Sequence, residues 1–128
     1  MQTKVFIVTV LVGVVLLGGG FFLLQQKPVP GVAANNVSIV DGKQIIEITA
    51  KGGYLPRNTI AKADVSTVLR FNTKGTFDCS SVVRIPSMDI TKNLPPSGVT
   101  DIDIGTQKVA TLQGTCGMGM YPFEVTFN

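Results

Sequence analysis

Lys108-Val-Ala-Thr-Leu-Gln-Gly-Thr-Cys-Gly-Met-Gly-Met-Tyr-Pro-Phe-Glu-Val-Thr-Phe127 is the stretch on which the reading of this chain turns. Residues 108–113 lead in as a strand, and residues 123–127 alternate apolar and polar, the period-2 pattern of a half-buried strand. Between them lies Cys116-Gly-Met-Gly-Met120, whose glycines relax backbone sterics and let a short loop curl. Cysteine and methionine supply thiolate and thioether sulfur, soft donors that select copper(I) over harder cations. The chain has two cysteines, four methionines and no histidine, so two of its methionines fall within four residues of a cysteine.

Upstream of this loop the pattern is strand after strand. Residues 37–40 and 44–49 flank Asp41-Gly-Lys43, a glycine-containing turn, and read as a hairpin. A bend at Tyr54-Leu-Pro56 precedes short strands at 59–62, 67–71 and 81–85, rich in β-branched and aromatic residues. Residues 92–98 read as loop, and 99–104 alternate again. No window carries helical periodicity. Seven or eight short strands separated by turns predict an all-β, Greek-key β-sandwich over residues 36–128.

The N-terminus is of another kind. Residues 5–24 carry no charge, and about 20 apolar residues rising ~1.5 Å each cross a ~30 Å hydrocarbon layer. The run reads as a transmembrane anchor over residues 1–25. A cleavable signal peptide competes with it, since Lys4 makes a short basic leader and Val32-Ala-Ala34 a small-residue site. Either outcome places the remainder on the extracytoplasmic side, in a compartment that permits disulfides. The expected location is therefore the cell membrane, single-pass, with a secreted or periplasmic form as the alternative. Residues 26–35, with Pro28 and Pro30, read as a tether.

Composition narrows the function classes. Lys4 and Lys27 precede the domain, leaving nine basic residues against eight acidic ones, dispersed along the chain. That gives no support to a nucleic-acid surface. Without histidine there is no Ser-His or Cys-His pair, no carboxylate pair sits in a recognisable catalytic frame, and no glycine-rich phosphate loop opens a helix. An enzyme is not expected.

A sandwich brings a mid-chain loop and its last interstrand loop together at one end. That juxtaposition assembles Cys79, Cys116, Met118 and Met120 at one pole as candidate metal ligands. The arrangement resembles the cupredoxins, in which one ligand comes from the start of a mid-domain strand and the others from the loop joining the last two strands. More narrowly it is similar to the membrane-anchored cupredoxin-like domains of iron and heavy-metal handling proteins. The matching residues run from Gly53-Tyr-Leu-Pro56 through Leu69-Arg-Phe71, Cys79 and Leu94-Pro95 to Gly114-Thr-Cys-Gly-Met-Gly-Met-Tyr121. They cover essentially the whole domain after the tether.

The resemblance implies copper, and the departures from the family pattern imply its oxidation state. A blue-copper site uses two histidines, a cysteine and a long axial methionine. Here Cys79 stands where the first histidine would be, and Met118 lies near the place of the missing second one. Two thiolates with one or two thioethers favour Cu(I), so capture, delivery or detoxification of copper is expected before electron transfer. Cys79 and Cys116 are the anchors, Met120 takes the terminal methionine's position, and Met118 is the fourth ligand. Tyr121 and Phe77 are expected to shield the sulfurs. The implied partners are the membrane and a metal-transport or metal-acceptor protein. Silver(I) would suit the same donors.

Plainer readings stand beside these. Cys79 and Cys116 alternatively form a structural disulfide in a β-sandwich interaction module. Met118 and Met120 alternatively fill the core, although two intervening glycines argue against a strand interior there. Met88 is expected to pack beneath the loop, Asp78 to cap a turn, and Asp101 and Asp103 to line a solvated face.

Overall fold

The computed structural model describes residues 36–128. The expected anchor (1–25) and tether (26–35) lie outside the described residues. Among the described residues no helix is long and apolar enough to cross a membrane.

Among the described residues ten strands form two five-stranded sheets. The strands are β1 (Val37–Val40), β2 (Lys43–Ala50), β3 (Tyr54–Leu55), β4 (Asn58–Ala61), β5 (Ser66–Thr73), β6 (Val82–Ile85), β7 (Ile90–Asn93), β8 (Gly98–Thr106), β9 (Ala110–Cys116) and β10 (Pro122–Phe127). The first sheet runs β1-β2-β5-β8, with β3 also paired to β2, and the second runs β4-β10-β9-β6-β7. The predicted β-sandwich is present, and all eight expected strands lie in it. Its sheets are mixed: β2 pairs parallel with β5, and β4 with β10. Two strands were not expected, β3 within the predicted bend and β7 across the start of the predicted loop. Each gains its strand character from a neighbour, β3 from the end of β2 and β7 from β6.

Local chemistry explains the turns. Val40 pairs with Lys43, so the β1–β2 hairpin closes over two residues. Asp41 and Gly42 both have positive φ, at 50° and 77°. Two positive-φ central residues are what a type I′ turn requires, and its twist matches that of the flanking strands.

The core draws alternate residues from both sheets. Ile46, Ile48, Leu69 and Phe71 face inward from the first sheet; Val83, Ile85, Val125 and Phe127 face them from the second. Tyr54, Phe71 and Phe123 form an edge-to-face trio with ring centroids 5.0–5.9 Å apart, the arrangement that aromatic quadrupoles prefer. On the outer face of the first sheet Arg70 pairs with Asp101 at 2.8 Å and Lys43 with Asp103 at 3.1 Å. These are exposed pairs of small energetic weight on the solvated face that alternation predicts.

Candidate metal centre

The pole is built from three loops that core contacts hold in place. Buried Tyr54 reaches across the sandwich, and its hydroxyl donates to the carbonyls of Val82 (2.9 Å) and Ser80 (3.3 Å). Burial holds that phenol well above its ordinary range, and the charge of Asp78 pushes the same way. Thr76, also buried, donates its hydroxyl to the Ala50 carbonyl at 2.6 Å. Together these bonds tie the segment carrying Cys79 to β2 and β3.

Cys79 opens a short 3-10 turn, Cys79–Ser81, capped by Asp78. One carboxylate oxygen of Asp78 accepts from the Ser80 N–H at 2.7 Å and from the Ser80 hydroxyl. The other accepts from the Gly52 N–H at 2.9 Å. Hydrogen bonds from Ser80, side chain first and backbone second, hold this carboxyl below the usual range. The expected capping role is therefore met, and the same residue clamps the 51–53 loop against the cysteine's turn.

Cys116 ends β9 with no accessible surface, opposite Val83 of β6. Its carbonyl accepts from Gly119 N–H at 3.0 Å, and its N–H donates to the Tyr121 carbonyl at 3.2 Å. These two bonds fold residues 116–121 into a tight loop. Gly119 has φ +75°, a conformation that costs any side chain with a Cβ. At Gly117 a Cβ would stand 3.3 Å from that of Val82, so this glycine lets the loop lie close on β6.

Cys79 and Cys116, 37 residues apart in sequence, are brought together at this pole with Cα atoms 5.7 Å apart and are joined as a disulfide. The Met118 N–H donates to the Cys79 sulfur at 3.3 Å. Met118 is 78% exposed and Met120 60% exposed, so neither is a core filler. They stand in solvent on the loop directly after Cys116. Met88 is half-buried against the core.

Phe77 corrects its sequence-based role. It is 83% exposed and so turned to solvent rather than over a sulfur, while buried Thr76 takes the inward contact of that loop. Tyr121 is half-buried against the core, and its ring lies over Gly53. The contacts that sequence reasoning missed are that of Val82 with Gly117 and the Asp78–Gly52 clamp. A signal for the clamp existed in Asp78 followed by Cys-Ser-Ser, an acceptor before a run of donors.

The donor chemistry is sulfur alone. Among the described residues no three His, Cys, Asp or Glu side chains group to hold a metal ion. A groove of about 480 Å³ on the second sheet, lined by Arg57, Gln113, Thr115, Pro122 and Glu124 among others, contains none of the four sulfur residues. At the pole itself Cys116 is fully buried, while Met118 and Met120 are exposed.

A β-sandwich whose mid-chain turn and last interstrand loop meet in a pair of cysteines, with two methionines beside them, defines the class of domain. The chain belongs to the cupredoxin-like domain family, whose model matches residues 13–126. Solved structures that share the fold include two copper-protein domains. The crystal structure of the metal binding domain of the Streptococcus pneumoniae D39 Cu(I)-exporting P-type ATPase CopA with Cu(I) has a TM-score of 0.66 at 21% identity, covering 72% of this chain and 92% of that one. The solution structure of a copper binding protein in the apo form has a TM-score of 0.66 at 23% identity, covering 72% and 94%. No curated protein matches the chain.

Proposed function

We propose that this protein is a membrane-tethered, extracytoplasmic copper-binding domain that takes up Cu(I) through Cys79, Cys116, Met118 and Met120, for capture, delivery to an acceptor protein, or detoxification. One observation carries the reading: the fold brings the chain's only two cysteines together at a pole where two exposed methionines follow the second of them. Thiolate and thioether donors without histidine suit a soft monovalent cation and disfavour Cu(II). Likeness of fold to a domain crystallised with Cu(I) supports the choice of metal. The absence of a histidine or a catalytic carboxylate frame from the sequence supports a binding role over an enzymatic one. Exposure of the methionines suits a cargo that is handed on, since an acceptor's ligands reach the metal without an opening step.

Binding requires the reduced pair, because the thiolate is the ligand. Cu(I) titration of the reduced full chain in mild detergent, against a calibrated chromophoric chelator, is the test. Tight binding that is lost in Cys116→Ser is the expected result; unchanged affinity in that variant sinks the site.

The Cys79–Cys116 link favours a second reading, a disulfide-stapled interaction module. It predicts no free thiols in the purified protein and no competition for Cu(I) after reduction.

A further inference from the structure

The two sulfurs of the site differ in access. Cys116 has no exposed surface, whereas Cys79 is only half-buried at the start of its turn. Their Cα separation of 5.7 Å lies in the middle of the range disulfides occupy, about 4.4–6.8 Å, and they are joined. The link consumes both thiolates that the copper(I) reading requires, leaving only the two methionine thioethers. In addition, the Met118 N–H points at the Cys79 sulfur, where a donor stabilises the negative charge of an attacking or departing thiolate.

We infer that Cys79 and Cys116 form a thiol–disulfide gate on the metal site, worked through Cys79 by small aliphatic disulfides and thiols of the surrounding medium. This rests on the copper(I) reading above. In closing, the Cys79 thiolate attacks one sulfur of a small disulfide, R–S–S–R. Its S–S bond breaks, one R–S⁻ leaves and takes a proton from water, and Cys79 carries a mixed disulfide. Cys116 then releases its proton to solvent and attacks the Cys79 sulfur, expelling the second R–S⁻. Two electrons pass from the cysteine pair to R–S–S–R, which becomes two R–SH. Copper leaves as Cu(I), unchanged in oxidation state, and the two thiols released are themselves soft ligands for it. Opening is the reverse: a small thiolate attacks Cys79, the sulfur that solvent reaches, and Cys116 leaves and takes a proton from water. A second small thiolate then attacks the outer sulfur of the mixed disulfide, releasing the Cys79 thiolate and R–S–S–R. Bound Cu(I) occupies both thiolates and so holds the gate open.

The test uses the reduced full chain in mild detergent with oxidised glutathione as the probe, followed by thiol titration and intact mass. Wild-type protein is expected to lose both thiols without retaining glutathione. Cys116→Ala is expected to accumulate one glutathionyl group at Cys79, and Cys79→Ala to react about tenfold more slowly or less, its remaining thiol being buried. One equivalent of Cu(I) is expected to slow wild-type closure by about tenfold, since a metal-held thiolate is a poor nucleophile, and closure to transfer all copper to a chelator. Equal reaction rates of the two alanine variants overturn the route through Cys79. Wild-type thiols that survive oxidised glutathione, in protein that binds Cu(I), overturn the gate and leave the copper reading standing. Normal closure in protein that never binds Cu(I) overturns the copper reading, and with it a gate that would have nothing to control.

Discussion

Gly114 faces Phe123 directly across the β9–β10 pair, and a Cβ at that position would run into the aromatic ring. The glycine is therefore the floor on which one member of the aromatic trio rests, two residues before Cys116. Gly114→Ala is expected to destabilise the fold by about 1–3 kcal/mol, the usual cost of overpacking a core. Urea denaturation measures this, and Phe123→Leu in the same chain should recover part of the loss if the clash is the cause. Asp78 supplies a pH dependence. Its folded carboxyl is held below the ordinary range by Ser80 and Gly52. The stability it contributes is thus present above the unfolded value of about 4 and lost as pH falls through the lower folded value. Asp78→Asn is expected to flatten that part of the acid-unfolding curve, with little change near neutrality in its slope against pH; an unaltered acid limb would refute the clamp. From residue types alone Cys116, Met118 and Met120 were legible as candidate donors. The outward turn of Phe77 was not, because an aromatic residue's side depends on what fills the inward space.

The strands follow from alternation, and where alternation is clear the boundaries agree closely, as in the predicted 44–49 against Lys43–Ala50. β3 and β7 escaped it. Tyr54–Leu55 is too short to show a period, and Ile90–Asn93 has only its first residue half-buried. Each is defined by hydrogen bonds from a partner strand, which a local pattern does not contain. Gln44 shows a link between sheets that is likewise invisible locally. Fully buried at the start of β2, it donates to the Lys62 carbonyl (3.1 Å) and to Thr67 Oγ1 (3.0 Å), and accepts from the Lys62 N–H at 2.9 Å. Lys62 directly follows β4, so one side chain bridges the first sheet to the second, at the end of β2 away from the sulfur loop. Gln44→Leu strips partners from these groups and is expected to cost about 2 kcal/mol. A loss below about 0.5 kcal/mol would mean water replaces the bridge.

For the sandwich as a whole, the bond between Cys79 and Cys116 sets stability against the proposed metal binding. Closing a loop with ends 37 residues apart restricts the unfolded chain by about 4 kcal/mol in the chain-entropy model. Reduction is expected to lower stability by up to that amount, and Cu(I) to restore part of it, since a ligand that binds only the folded form adds stability with its concentration. Thermal denaturation of the oxidised, reduced and reduced copper-loaded chain distinguishes these states. A reduced chain whose melting temperature Cu(I) leaves unmoved would count against the metal site.

Alternating residues, glycine turns and the spacing of sulfur residues in the last interstrand loop are local properties, and they were enough to determine a β-sandwich and to nominate its donors. Whether two cysteines 37 residues apart meet is a matter of register between β6 and β9, where Val83 stands opposite Cys116. The parallel pairs β2–β5 and β4–β10 are likewise set by how two sheets close over a shared core. Those decisions belong to the tertiary structure because they minimise exposed apolar area and unmet hydrogen bonds over the entire domain, and no short window of sequence carries either sum.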